Sequence, residues 1–168
     1  MSDSKGRIMI ASSGDKCLIK VEGRTTWECS PPLQELANNI SSGAYAGIVF
    51  DLSACEWMDS TIMGIMAMIG KKTLEARMPQ VEMANTSPKI VKLLKELGVD
   101  QLFSFTTGAS NLPQPTWVAT DTSSYSKKKI AKTILDAHET LINLDKSNAP
   151  RFQNVVDLLK KDIDEEKK

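Results

Sequence analysis

The sequence predicts an α/β fold: a small mixed β-sheet with α-helical crossovers, plus a helical C-terminal extension. Three observations predict it. Strand-like and helix-like segments alternate from Arg7 to Thr106, which demands parallel neighbours joined by right-handed helical crossovers. The run IVFDL at 48–52 is rich in β-formers, as in a central strand covered on both faces. All nine glycines fall at or before Gly108, so the last sixty residues contain none. A turn-rich domain over 1–106, a linker over 107–124 and a helical extension over 125–168 follow from that split.

The elements can be justified in order. Residues 7–11 (RIMIA) and 16–22 (KCLIKVE) form two short strands around the hairpin residues Ser12–Asp15. Ser30 can cap a helix that has Pro31 in its first turn and the stripe Leu33, Leu36, Ala37 and Ile40. Strand 48–52 follows, then a loop (SACEWMD). A helix begins at Ser60, with Ile62, Met66, Ile69 and Leu74 at helical spacing, and stops before Pro79. VEMANT at 81–86 is a strand. Ser87 caps the amphipathic helix PKIVKLLKELG, which buries Ile90, Leu93, Leu94 and Leu97. DQLFSFT at 100–106 is the last strand. In the linker, Trp117-Val118 can dock back on the domain. Two helices follow, broken at Asn148-Ala149-Pro150. The first carries Ile130, Ile134, Leu141 and Ile142; the second carries Phe152, Val155, Val156, Leu159 and Ile163. These stripes must be buried on the chain's own domain or on a twin subunit, so a homodimer through the C-terminal helices is one expectation.

Composition excludes several functions. Twenty-one Lys and Arg balance 21 Asp and Glu, so the net charge is zero and no basic excess marks a nucleic-acid or membrane-surface partner. The apolar run at 62–69 ends at Lys71-Lys72, too short to span a membrane. The opening MSDSKGRIMIASSG has no apolar run of signal-peptide length. Cys17, Cys29 and Cys55 are an odd set without metal-ligand spacing, expected as buried reduced thiols in the cytoplasm. No metal or other cofactor is expected. Lys127–Lys129 is too brief a basic run for a nucleic-acid site and suits a solvated helix start.

The chemistry concentrates at DLSACEWMDSTIMGIMAMIG, residues 51–70. A strand and a loop deliver Asp59-Ser60-Thr61 to a helix start, where oxygen side chains cap orphan amides. Met63, Gly64 and Ala67 share the helix face of Ser60. That surface is small, apolar and uncharged; if exposed, it is a partner-contact patch with a polar switch at its edge.

With these residues in view, IVFDLSACEWMDSTIMG resembles the signature of the STAS family, which joins sulfate transporters to anti-sigma factor antagonists. VEGRTTWECSPPLQEL before it and VEMANTSPKIVKLLKELGVDQLFSF after it agree, so the resemblance spans roughly residues 6–106. It implies a STAS-like sheet and a non-catalytic, partner-switching function in signal transduction and transcription regulation. The unphosphorylated domain would bind an anti-sigma factor that is also a serine kinase. Phosphorylation of Ser60, or of Thr61 as the alternative, would release it, and a serine phosphatase would restore it. Asp59, Thr61, Met63, Gly64 and Ala67, with Thr25 and Trp27 from the loop before the first helix, would contact the partner. The pattern departs at Ile62, where the family usually has glycine. That side chain either adds bulk to the partner face or points inward. A non-switching STAS module, serving as a scaffold or an accessory subunit of a transport complex, is the alternative. Catalysis by Ser60 is set aside because the sole histidine, His138, lies in the tail as an isolated helical residue.

Overall fold

The computed structural model describes residues 5–40, 43–107 and 115–166. The strands are β1 (Arg7–Ser13), β2 (Lys16–Thr25), β3 (Gly47–Asp51), β4 (Cys55–Met58), β5 (Val81–Ala84), β6 (Phe103–Thr106) and β7 (Val118–Ala119). They form one sheet in the order β6-β5-β3-β2-β1-β7, with β4 beside the end of β2. β1 and β2 are an antiparallel hairpin, while β2, β3, β5 and β6 run parallel, so the sheet is mixed.

Three strands differ from the sequence expectation. The stretch read as a loop after IVFDL contains β4, which is only four residues long and pairs with the last residues of β2. β2 in turn does not stop at Gly23. Gly23 has a φ of 70° and the register shifts there, so the glycine bends the strand from β3 towards β4. The last strand begins later than expected, because Val99–Leu102 form a 3₁₀ turn.

Helices α1 (Ser30–Asn39), α2 (Ser60–Glu75) and α3 (Pro88–Glu96) pack on one face of the sheet. Their Leu33, Leu36, Ile62, Ile65, Met66, Ile69, Ile90 and Leu94 meet Ile19, Val21, Ile48, Phe50 and Met83 in a single core. Ser87 caps α3, accepting the Ile90 N–H at 3.3 Å. Ser30 is not a cap; it is the first residue of α1, and its hydroxyl donates to the Trp27 carbonyl. The opposite face carries a smaller cluster of Ala11, Leu18, Val49 and Ala84, covered by Trp117 rather than by a helix. Lys20 lies over the Trp117 ring, 5.8 Å from its centre. β7 then joins the sheet edge at Met9 and Ile10, so part of the linker is docked.

The extension forms α4 (Lys127–Leu144) and α5 (Ala149–Glu166). Ser126 caps α4 by accepting the Lys129 N–H. α4 lies across α2 and α1, and α5 packs on α4. Between the helices, buried Asn148 donates to the carbonyls of Leu97 and Leu141, tying the turn to the end of α3. The tail packs on its own domain, but of the expected stripes only Leu141 and Val156 are buried; Ile130, Ile134, Ile142, Phe152, Leu159 and Ile163 are half-buried and Val155 is exposed. Among the described residues, no helix is long and apolar enough to cross a membrane.

Candidate functional site

β4 ends at Met58 and hands the chain to Asp59, which has the extended backbone of a helix cap. Its two oxygens are both used: Oδ1 accepts the Ile62 N–H at 3.0 Å and Oδ2 accepts the Trp27 N–H at 2.8 Å. One carboxylate thus joins the loop before α1 to the start of α2. Burial pushes the Asp59 carboxyl above its ordinary value, against the pull of these two amides and of His138.

Ser60 is the first residue of α2 and is half-buried. Its Oγ lies 2.8 Å from Nε2 of His138 on α4. His138 Nδ1 lies 2.7 Å from the Ile134 carbonyl, which can only accept. Nδ1 therefore carries a proton; in the neutral ring Nε2 is then the acceptor and the Ser60 hydroxyl donates to it. The ring is only 5% exposed and meets Phe152 of α5 edge-on, with centroids 5.0 Å apart. One turn along, α2 presents Gly64. A Cβ there would stand 2.5 Å from the Ala137 carbonyl oxygen, so the glycine is what lets the α4 backbone come this close.

No family model and no curated protein matches the chain by sequence. Among solved structures, it is similar to the phosphorylated form of SpoIIAA, a Bacillus cell fate determinant. The identity is 18% over 61% of this chain and 92% of that one, with a TM-score of 0.47. It is also similar to the anti-sigma factor antagonist SpoIIAA in its unphosphorylated form. There the identity is 18% over 61% and 89% of the two chains, with a TM-score of 0.44.

The face expected to be an open partner patch is covered. Thr61, Met63, Gly64 and Ala67 are buried, and so is Thr25, whose hydroxyl reaches the Trp57 carbonyl. The physical reason is α4, whose own apolar stripe needed a surface and found the small residues of α2. Trp27 differs. It is 43% exposed at the rim, with its amide on Asp59. Ile62 is fully buried in the core, so its bulk points inward and not towards the surface.

His138 is the residue that sequence reasoning misplaced. It is not isolated, and the argument that Ser60 lacks a base does not hold in the fold. A signal was present: His138 lies four residues after Ile134 and three before Leu141, on the stripe of α4 that had to be buried. The pair polarises the Ser60 hydroxyl. The adjacent first-turn amides of Thr61 and Ile62, however, are turned to the Asp59 carboxylate, which uses the donors that an oxyanion would need.

Proposed function

We propose that the protein is a regulatory binding module of the anti-sigma factor antagonist type. In this reading it binds an anti-sigma factor that is also a serine kinase, and Ser60 is the hydroxyl that the kinase modifies. One observation carries the reading: Ser60 is a half-buried hydroxyl at the first position of α2, beside a capping carboxylate and against an imidazole that accepts its proton. The family-like motif around it supports the same assignment.

The chemistry balances simply. Ser60 Oγ attacks the γ-phosphorus of ATP, its proton passes to a base, the bond to the diphosphate breaks, and ADP leaves. A serine phosphatase reverses the state by adding water and releasing inorganic phosphate. The helix dipole tolerates the new dianion, so the fold of α2 need not change. Burying the same charge beside Asp59 against an apolar partner surface would cost its hydration, which opposes binding. Trp27 at the rim supplies an exposed aromatic anchor for that partner.

The test is incubation of the full chain with ATP and an extract of its native cells, followed by peptide mass spectrometry. One phosphate on Ser60 is the expected result. Unmodified Ser60 and Thr61, with undiminished partner capture by a Ser60→Asp variant, would overturn it. The burial of Met63, Gly64 and Ala67 favours a second reading, a non-switching scaffold or accessory subunit of a transport complex. That reading expects co-purification with a membrane transporter and no phosphate.

A further inference from the structure

α5 packs on α4 and on the turn that leads into it, through buried Val156 and half-buried Phe152, Leu159 and Ile163. A second stripe runs along another side of the same helix: Arg151, Val155, Leu158 and Asp162. Its steps of four, three and four residues are those of a heptad seam, and all four residues are exposed. Leu158 is 62% exposed and Val155 37%. Two of the six exposed large hydrophobic residues among those described therefore lie one turn apart on this face.

The charges of α5 are inverted for a helix standing alone. The N-terminal end of a helix favours acids and the C-terminal end favours bases. α5 has no acid in its first turn and no base in its last. Arg151 stands in the first turn instead, and Asp162, Asp164, Glu165 and Glu166 crowd the end. Among the described residues, no ion pair joins Arg151 or Asp162 to another group.

A second copy of α5, laid antiparallel on the same stripe, answers both features. Arg151 lies four residues before Val155, and Asp162 lies four after Leu158. A two-fold axis between Val155 and Leu158 therefore sets Val155 on Leu158 of the partner subunit and Arg151 on Asp162 of the partner subunit. Two apolar layers form the centre, and an Arg–Asp pair closes each end. The acidic end of each helix comes to lie over the N-terminus of the other, where the dipole favours it. A parallel pair would instead set Arg151 on Arg151 of the partner subunit.

We propose that α5 is a self-association surface, through which two copies of the chain form an antiparallel, two-fold dimer along Arg151, Val155, Leu158 and Asp162. The seam is about 18 Å long at 1.5 Å per residue. It falls at the small end of specific interfaces, so the dimer is reversible, with a Kd on the order of 10–100 µM. The seam leaves Ser60 and α2 untouched and does not depend on the function proposed for them.

Sedimentation velocity of the full chain, from about 5 to 500 µM, measures the association. Leu158→Asp should abolish it. Arg151→Asp and Asp162→Arg should each weaken it about tenfold or more, because like charges then face each other. Both of these changes suit an isolated helix better, so a weaker dimer cannot be read as a weaker helix. The double variant Arg151→Asp with Asp162→Arg should recover the original Kd to within about threefold. A chain that stays monomeric throughout, a dimer that survives Leu158→Asp, or a double variant as weak as the single ones would each overturn the proposal. A monomer that needs Leu158 to capture a different protein would overturn it too, by giving the surface another occupant.

Discussion

Replacing Ile62 decides whether the departure from the family pattern belongs to the core or to the partner face. The side chain is fully buried among the residues that join α2 to the sheet. Trimming it to valine should cost about 0.5–1.5 kcal/mol, and trimming it to alanine about 2–5 kcal/mol, because transfer and cavity contributions add. Glycine, the residue usual in the family, should cost roughly 1 kcal/mol more through backbone entropy in the first turns of α2. A domain's whole stability is about 5–15 kcal/mol, so Ile62→Gly removes much of it. Urea denaturation measures the series, with an unchanged slope showing that only stability has moved. The melting temperature of Ile62→Ala should fall by about 4–20 °C, taking roughly 2–4 °C per kcal/mol for a chain of this size. A loss below about 1 kcal/mol for Ile62→Ala would refute the reasoning. The isoleucine would then face solvent, where it would obstruct a partner.

Asn148→Ala should destabilise the protein by about 2–4 kcal/mol in the same assay, since it strips two hydrogen bonds from the buried carbonyls of Leu97 and Leu141. An effect under about 0.5 kcal/mol would mean that the turn between α4 and α5 is not tied to α3. Burial pushes Cys17 and Cys55 up to about 11, from an ordinary 9.0. At pH 8 their thiolate fraction should be roughly a hundredfold below that of the unfolded chain, and it should rise with pH. Iodoacetamide should therefore label them slowly in the native protein and rapidly in urea; equal rates would contradict their burial.

The parts legible in the sequence were those fixed by local periodicity. The helical stripes of α1, α2 and α3, the break at Gly98 and the helix start beside Pro150 depend on neighbours in the chain. β4 was not legible, because four residues with Cys55 and Met58 inward and Glu56 outward give too short an alternation to stand apart from a turn. Its existence depends on the bend at Gly23, a long-range event. Within the site, Asp59 as cap and Ser60 as first helical residue were legible for the same local reason. His138 was not, because seventy-eight residues separate it from Ser60 and only the packing of α4 brings them together.

Gly64 joins these two levels. In the sequence, Met63, Gly64 and Ala67 beside Ser60 read as a small apolar surface, a partner patch if exposed; that reading did not foresee that the chain's own backbone would cover it. The extension supplies that backbone, since Ala137 sits where a Cβ on residue 64 would collide. A surface shaped for close approach and a tail that must bury a weakly apolar stripe are complementary requirements within one chain.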